Sequence, residues 1–518
     1  MSKTASPALF DLIHNMSKSE KRYFKIHASR HTIGEQNKYV QLFDFIEQQK
    51  EFNEEEVFAH FKGESFLNKF SITKNRLYDH LMKALAGFHS NSSSDANIYK
   101  LLHGAEILYE KGLYEHSDRQ LKSAKRLALK NGDSALLLKI ESKLNEIKET
   151  QGYAKVTLSE LESQEKELNE ILVSEKYYNK LWLLKSKLFS MMHLQGKSRS
   201  EEDIEKFEIL FDEYEKLKRP EKISFNAQYL SIHFESAYYF ATLNREKCLN
   251  SSYKNLELFQ KENKKIKDVP HKYLSVLTNI IHLELAEGNT KSIYSLLGEL
   301  NTFKVKYKIS TNEDLEIKLF SSIKSTNLMV HIHQAEFQKA VSMEESIIEG
   351  FNQFGGGITP SRKAYLSFKL AIAFFGEEEF NNSLKWINAI LNDSELDENE
   401  DIVAFAHIVG LIIHFELNNT SYLPYALKST LRFLQNRKRS YSFETLFLKN
   451  LRKVINTDDP FKAEELLQDV AYQLEEVAKD PFQSVAFEYF DFRSWLISKI
   501  KKKKFQVVKR DAYLTQSA

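Results

Sequence analysis

The feature that most constrains the fold of this chain is its shortage of glycine and proline. The sequence holds 16 glycines and 7 prolines in 518 residues, about 4% of the chain against roughly 12% in average proteins. Sheet proteins need many tight turns, and tight turns depend on these two residues. We therefore expect an all-α protein, and one that is longer than a single hydrophobic core usually serves.

Charge and cysteine content narrow the class of protein. The 73 basic and 72 acidic residues give a net charge of +1, so no global field attracts nucleic acid or an anionic membrane. Cys248 is the only cysteine, which excludes an intrachain disulfide and fits a reducing compartment. The longest uncharged apolar stretch, residues 402 to 415, is shorter than the roughly 20 residues that span a bilayer. The sequence thus predicts no membrane span and a cytoplasmic protein.

The start of the chain predicts an N-terminal helical module over residues 1–90. Ser17 and Glu20 have the spacing of a capping box, so a helix is expected to begin at Lys18. At 100° per residue, its basic residues form one stripe, and Tyr23, Phe24 and His27 lie on the opposite, core-facing side. The polar segment "SNSSSDAN" predicts a Ser-rich linker at residues 91–98.

From about residue 99 the chain shows a recurring pattern of paired helices. Close packing of two antiparallel helices needs a turn, an aromatic residue, and small or apolar residues at the contact. The segment "ILYEKGLYEHSDRQLKSAKRLA" has such residues in the expected order: Gly112, Tyr114, Ser117, Leu121 and Ala124. Weaker copies recur, with turn positions at Asn244, Gly288, Ala335, Glu378 and Asn418. These positions lie 44, 47, 43 and 40 residues apart.

This pattern resembles the turn of a tetratricopeptide repeat, with a longer period than the standard 34 residues. The resemblance implies an α-solenoid of antiparallel helix pairs, a tetratricopeptide-like superhelix, over residues 99–495. The opening "MSKSEKRYFK" also resembles the start of a group of uncharacterised bacterial helical-repeat proteins, and that resemblance implies no activity.

Two further segments carry expectations. The stretch at residues 157 to 189 is predicted to form two long helical segments. The C-terminal residues 496–518 include "KIKKKKFQVVKR", which is rich in lysine and has no acidic residue, so we expect a basic, disordered tail there.

The motifs of catalysis and cofactor binding are not found in the sequence. The run Gly355–Gly357 lacks the lysine of a phosphate-binding loop, and His331 and His333 would point to different faces of a helix. Cys248 has no nucleophile signature around it and is interpreted as a buried structural residue. We therefore expect no catalytic, cofactor or metal site, although catalysis by residues distant in sequence stays open.

Two functional hypotheses remain. The first is a non-catalytic scaffold or adaptor that binds a protein or peptide on the solenoid surface. The alternative is a nucleic-acid-associated regulator, in which the N-terminal module contacts phosphates and the repeat array acts as a sensor. The candidate contacts for this alternative are Lys18, Lys21, Arg22, Lys25, Lys74 and Arg76.

Overall fold

The structure is a computed structural model that describes residues 8–29, 38–91, 93–154, 156–309, 312–398, 400–437, 441–457 and 459–517. Every regular element in these residues is a helix, so the predicted all-α fold class is confirmed. The chain divides into two compact units, Met1–Leu172 and Val173–Ala518. The division falls within one long helix.

The first unit begins with a small helical core. The helices of the whole first unit are α1 (Ala8–Asn15), α2 (Lys18–Ser29), α3 (Lys38–Gln48), α4 (Glu54–His60), α5 (Phe70–Phe88), α6 (Ser94–Glu110), α7 (Tyr114–Asn131), α8 (Ser134–Thr150) and the first part of α9 (Leu158–Gln195). Phe24 and Phe43 pack together in the core of α1 to α5, with ring centroids 4.9 Å apart. The core position expected of Phe24 is confirmed, whereas Tyr23 is exposed and its ring packs against Phe88 instead, and His27 is only partly buried.

The predicted capping box at the start of α2 is also confirmed. The Ser17 N–H donates to the Glu20 carboxylate over 2.6 Å, and the Glu20 N–H donates to the Ser17 hydroxyl oxygen over 3.3 Å. These two bonds satisfy backbone donors that the first turn of a helix leaves free.

The second unit is a longer succession of helices. After α9 they are α10 (Glu201–Glu215), α11 (Phe225–Ala241), α12 (Arg245–Lys261), α13 (Lys265–Asp268), α14 (Pro270–Glu287), α15 (Thr290–Lys306), α16 (Glu313–His333), α17 (Phe337–Val341), α18 (Glu344–Phe354), α19 (Pro360–Gly376), α20 (Phe380–Leu391), α21 (Asp401–Glu416), α22 (Leu423–Asn436), α23 (Ser442–Ile455), α24 (Pro460–Val477), α25 (Pro481–Ser484), α26 (Phe492–Ile500) and α27 (Phe505–Ser517). The most apolar of them, α21, is buried over almost its whole length from Ile402 to Ile413.

Several pairs of consecutive helices are joined by one kind of turn. Four of the five predicted turn positions have left-handed backbone, with φ of 74° at Gly288, 55° at Ala335, 61° at Glu378 and 53° at Asn418. The backbone N–H of the residue after each turn position donates to the carbonyl of the residue five positions earlier. For example, the Glu379 N–H donates to the Phe374 carbonyl over 2.9 Å. This bond is the signature of a Schellman motif, which ends one helix and reverses the chain.

The fifth turn is displaced by one residue from the prediction. Leu243 takes the left-handed conformation with φ of 61°. Asn244 instead caps α12, because its side chain accepts a hydrogen bond from the Lys247 N–H over 3.1 Å. An asparagine suits either position, so the sequence could not separate the two roles.

Small residues bring the paired helices into close contact. Ser117 on α7 is buried and donates its hydroxyl to the Ala105 carbonyl over 2.7 Å, and Ser383 on α20 makes the same bond to Ala371. Both bonds join residues twelve apart across a hairpin. Ser117, a small-residue position predicted from the repeat pattern, therefore lies at a helix–helix contact, and Ser383 has the same role in a second pair.

Three segments differ from the sequence expectations. Residues 157–189 belong to the single helix α9, because Thr157 and Glu160 form a capping box and no glycine or proline interrupts the segment. Within 91–98, where we expected a linker, Ser93 caps α6 by accepting the Ala96 N–H; residue 92 lies outside the described residues. Residues 496–518, where we expected a disordered tail, contain the end of α26 and the helix α27 up to Ser517, while residue 518 is not described.

Candidate functional site

The C-terminal part of the chain is packed inside the second unit. Phe490, which follows α25 and a short 3-10 turn, is buried against Phe375 and Phe505 at ring distances of 5.2 and 5.9 Å. Tyr489 stacks on Phe405 of α21 with the ring centroids 4.0 Å apart. The preceding Glu488 is thereby fixed among residues that lie far away in the sequence.

Glu488 is the centre of a charged cluster. Its carboxylate accepts hydrogen bonds from Lys197 over 2.6 and 2.8 Å and from Arg245 over 3.3 Å. Lys197 lies in the turn after α9, and Arg245 is the first residue of α12. Burial tends to raise the pKa of Glu488, but the charge and hydrogen bonds of Lys197, together with the charge of Arg245, lower it from the ordinary value. The carboxylate is therefore held in its charged form.

A second carboxylate lies three residues further along. Asp491 caps α26 by accepting the Ser494 N–H over 3.0 Å, and it pairs with Lys509 of α27 over 2.9 Å. Burial opposes ionisation here too, yet Lys509 and Ser494 lower the pKa of Asp491.

Two cavities of about 290 and 480 Å³ share part of their lining around Glu488. Six residues line both of them: Lys197, Phe240, His282, Lys369, Glu488 and Tyr489. His282, and His333 in the smaller cavity, are neutral at pH 7, because burial lowers the pKa of each to about 4. The cavities thus combine fixed charges with aromatic walls.

A buried ion pair joins two other elements of the second unit. Arg199, just before α10, donates to Glu444 of α23 over 3.1 and 3.2 Å, and both side chains are only 4% exposed. The Arg199 guanidinium also lies 4.0 Å from the ring centre of Tyr441. Burial raises the pKa of Glu444 despite the attraction of Arg199. Because both groups are closed off from solvent, this pair is structural.

One helix face in the second unit exposes large apolar side chains among polar ones. Within this unit α9 buries Leu181, Leu184 and Leu188. The opposite side exposes Leu183 and Leu194, with exposed fractions of 59% and 67%. They are eleven residues apart, which is close to three helical turns, so they share a face.

The rim of this face is aromatic. Trp182 and Phe189 are exposed two turns apart, and the Lys185 amine lies 4.9 and 5.2 Å from their ring centres. We call Trp182, Leu183, Phe189 and Leu194 the α9 apolar face. It is the arrangement expected of a protein contact surface.

The six candidate nucleic-acid contacts lie in the first unit. Lys18, Lys21, Arg22 and Lys25 share one surface of α2 with Glu47 of α3. Lys21 pairs with Glu47 over 3.2 Å, and Lys25 pairs with Asp44 over 2.7 Å. Within the described part of the chain, Lys18 and Arg22 make no ion pair, so half of the predicted stripe is neutralised by the protein itself.

The other two candidates do not join this stripe. Lys74 pairs with Glu54 of α4, and its amine lies 5.1 Å from the ring centre of Phe70. Arg76 is exposed, and no ion pair connects it to a carboxylate in the described residues. No hydrogen bond or ion pair between described residues links either of them to the α2 cations.

Cys248 is buried, with its sulfur 3.7 Å from the Ser236 hydroxyl, and burial raises the pKa of its thiol. The interpretation as a buried cysteine is confirmed. In the described ranges, no group of three histidine, cysteine or acidic side chains could hold a metal ion. Among the same residues, no helix has both the length and the apolar character needed to cross a membrane.

The chain matches no protein-family model, and no curated protein shows significant sequence similarity to it.

Proposed function

We propose that this chain is a non-catalytic, tetratricopeptide-like helical-repeat protein whose function is to bind another protein. The recurring Schellman turns and the serine contacts between paired helices support a repeat of one structural unit. Stacking such units would give an α-solenoid, and solenoids commonly present long surfaces for protein partners.

The observation that carries the proposal is the α9 apolar face. Large exposed apolar side chains are in unfavourable contact with water, and a group of them often marks a protein contact surface. Trp182 is of the residue type that most often dominates binding energy at protein interfaces. A partner with a complementary apolar surface would cover these side chains.

The test uses a charged double variant, Leu183→Glu with Leu194→Glu. Glutamate is a good helix former, so α9 should remain folded. Tagged wild-type protein is purified from its native cell, a stoichiometric protein partner is identified by mass spectrometry, and its affinity is measured with both purified proteins. We expect the double variant to weaken binding at least tenfold, about 1.4 kcal/mol.

The matched control is Val305→Glu on α15, which is 82% exposed and distant in sequence from α9. It should bind like the wild type. Absence of any stoichiometric partner, together with a monomeric mass in light scattering, would contradict the protein-binding proposal. Equal affinity of wild type and double variant would contradict the role of the α9 apolar face. A turnover abolished by a point substitution would contradict the non-catalytic part.

A second candidate function is nucleic-acid binding by α2. Lys18 and Arg22 support it, because they lie one turn apart and make no ion pair within the described residues. Binding of a fluorescent duplex should then fall steeply with salt, and the pair Lys18→Ala and Arg22→Ala should reduce the salt slope by about two. Negligible binding at low salt would remove this candidate.

A further inference from the structure

The smaller cavity beside Glu488 has an excess of positive charge. Four cationic side chains line it, and two carboxylates oppose them: Lys197, Arg245, Lys369 and Lys509 against Glu488 and Asp491. The cavity histidines are neutral at pH 7 and do not change this balance. The fixed charges of the lining therefore sum to two positive charges in a volume of about 290 Å³.

Lys369 accounts for part of this excess. Lys197 and Arg245 pair with Glu488, and Lys509 pairs with Asp491. Lys369, in the middle of α19, makes no ion pair with a described carboxylate, and its amine lies 5.3 Å from the ring centre of Tyr365. Burial lowers the pKa of Lys369 to about 8; the charge of Glu488 opposes this shift, and the charge of Lys509 adds to it.

An ammonium group in a partly enclosed site without an acceptor is unfavourable, because it has lost water contacts and gained no anion. A bound anion would restore that balance. The remaining walls are apolar and aromatic, among them Phe240, Phe487 and Phe505. Arg245 is 46% exposed at the same cavity, which leaves a route to solvent.

We propose that this cavity binds a small organic oxyanion, with Lys369 contacting the carboxylate or phosphate group and the aromatic walls contacting its apolar part. The volume suits a molecule smaller than most drugs, since ordinary ligand pockets begin near 300 Å³. The site differs from the α9 apolar face, so its occupancy is independent of the protein-binding proposal.

The experiment uses fluorine NMR of two probes, 4-(trifluoromethyl)benzoate and 4-(trifluoromethyl)phenyl phosphate, titrated with the full-length protein. The neutral 4-(trifluoromethyl)benzamide serves as the matched ligand control. We expect saturable binding of at least one anion with a Kd below about 1 mM and at least tenfold weaker binding of the amide. Binding of the benzoate alone assigns a carboxylate, and binding of the phosphate alone assigns a phosphate.

Two variants assign the charge to Lys369. Lys369→Met keeps the length of the side chain and should weaken anion binding at least tenfold, while Lys369→Arg keeps the charge and should remain within about threefold of wild type. Lys363→Met, on the same helix and outside the cavity, should have no effect. Circular dichroism and thermal unfolding show that each variant is folded.

Either of two results would overturn the proposal. One is no saturable binding of either anion at concentrations up to about 10 mM, which is weaker than any useful affinity for such a site. The other is equal binding of the anions to wild type and to folded Lys369→Met and Lys369→Arg, or equal binding of the amide and the anions.

Discussion

The helix α2 and the segment 499–510 both carry several lysines, and they differ in where the opposing carboxylates lie. In α2, Lys21 and Lys25 pair with residues of the neighbouring α3, while Lys18 and Arg22 have no ion pair in the described residues. In the C-terminal segment, lysines pair with acidic residues distributed over the second unit. These pairs are Lys499–Glu416, Lys502–Glu464, Lys504–Glu378 and Lys509–Asp491.

The comparison shows that a run of lysines does not by itself indicate disorder or ligand binding. Phe505 and Val508 follow the last lysines of the run and are buried in the second unit. Once these apolar residues are anchored, the flanking lysines lie beside existing carboxylates. In α2 the stripe instead faces away from the core, so its free cations stay in solvent.

The largest predicted effect tests the apolar anchor of the C-terminal segment. Phe505→Ala should lower the free energy of unfolding by about 3–5 kcal/mol, because the ring lies among Phe337, Phe375 and Phe490 and its loss leaves a cavity. The measurement is urea unfolding followed by tryptophan fluorescence. All three tryptophans, at positions 182, 386 and 495, belong to the second unit.

The matched control for this prediction is the exposed neighbour Val507→Ala, which should change stability by no more than about 0.5 kcal/mol. Similar effects of the two substitutions would mean that α27 does not depend on its buried face.

The next effect tests the charged cluster around Glu488, which precedes the segment in the sequence. Glu488→Gln should cost about 1–3 kcal/mol in the same unfolding measurement, because Lys197 and Arg245 lose a charged acceptor. Glu475→Gln is the control, since its pair with Arg493 spans 2.8 Å and is about half exposed. It should cost less than about 1 kcal/mol. Equal losses of unfolding free energy in the two variants would show that burial does not strengthen the ion pairs of Glu488.

The same carboxylates predict a dependence of stability on pH. The pKa values of Glu488 and Asp491 are lowered in the folded protein, so their stabilisation is complete above the ordinary carboxyl pKa values and is lost as pH falls through the lowered values. The contribution of these two carboxylates to the free energy of unfolding should thus decrease on acidification below about pH 4. Glu488→Gln should flatten this part of the curve; a profile as steep as that of wild type would contradict the assignment.

The smallest effect is expected in α2. Lys25→Ala removes exposed pairs with Asp44 and Glu47 and should cost no more than about 1 kcal/mol. Hydrogen exchange of α2 followed by mass spectrometry would measure it. The difference from wild type should nearly vanish in 1 M salt, where the Debye length is about 3 Å. Lys18→Ala is the control without an ion pair, and a larger effect at Lys18 would reverse the expected order.

Local features could be predicted from the sequence. The capping box at Ser17 and Glu20, the core position of Phe24 and the turns at Gly288 and Ala335 each depend on residues within a few positions of one another. Such features follow from backbone hydrogen bonding and helical period, which a single sequence contains. The all-helical class follows in the same way from the scarcity of turn residues.

The cavity could not be predicted because its parts come from distant elements. Lys197, Lys369 and Glu488 are separated by more than a hundred residues at each step, and none lies in a recognisable motif. The helical end of the chain was missed for a related reason: the carboxylates that neutralise its lysines, such as Glu378 and Glu416, are remote in sequence. Long-range pairing of this kind requires the fold.

The left-handed turns have a consequence for engineering heat resistance. Leu243, Ala335 and Glu378 occupy a conformation that costs an ordinary side chain about 1–2 kcal/mol, and glycine adopts it freely. Leu243 lines the charged cavity and Ala335 is buried in the core, so replacing either of them also changes packing. Glu378 is partly exposed and loses only its exposed pair with Lys504. A glycine at Glu378 is therefore the replacement expected to raise the melting temperature.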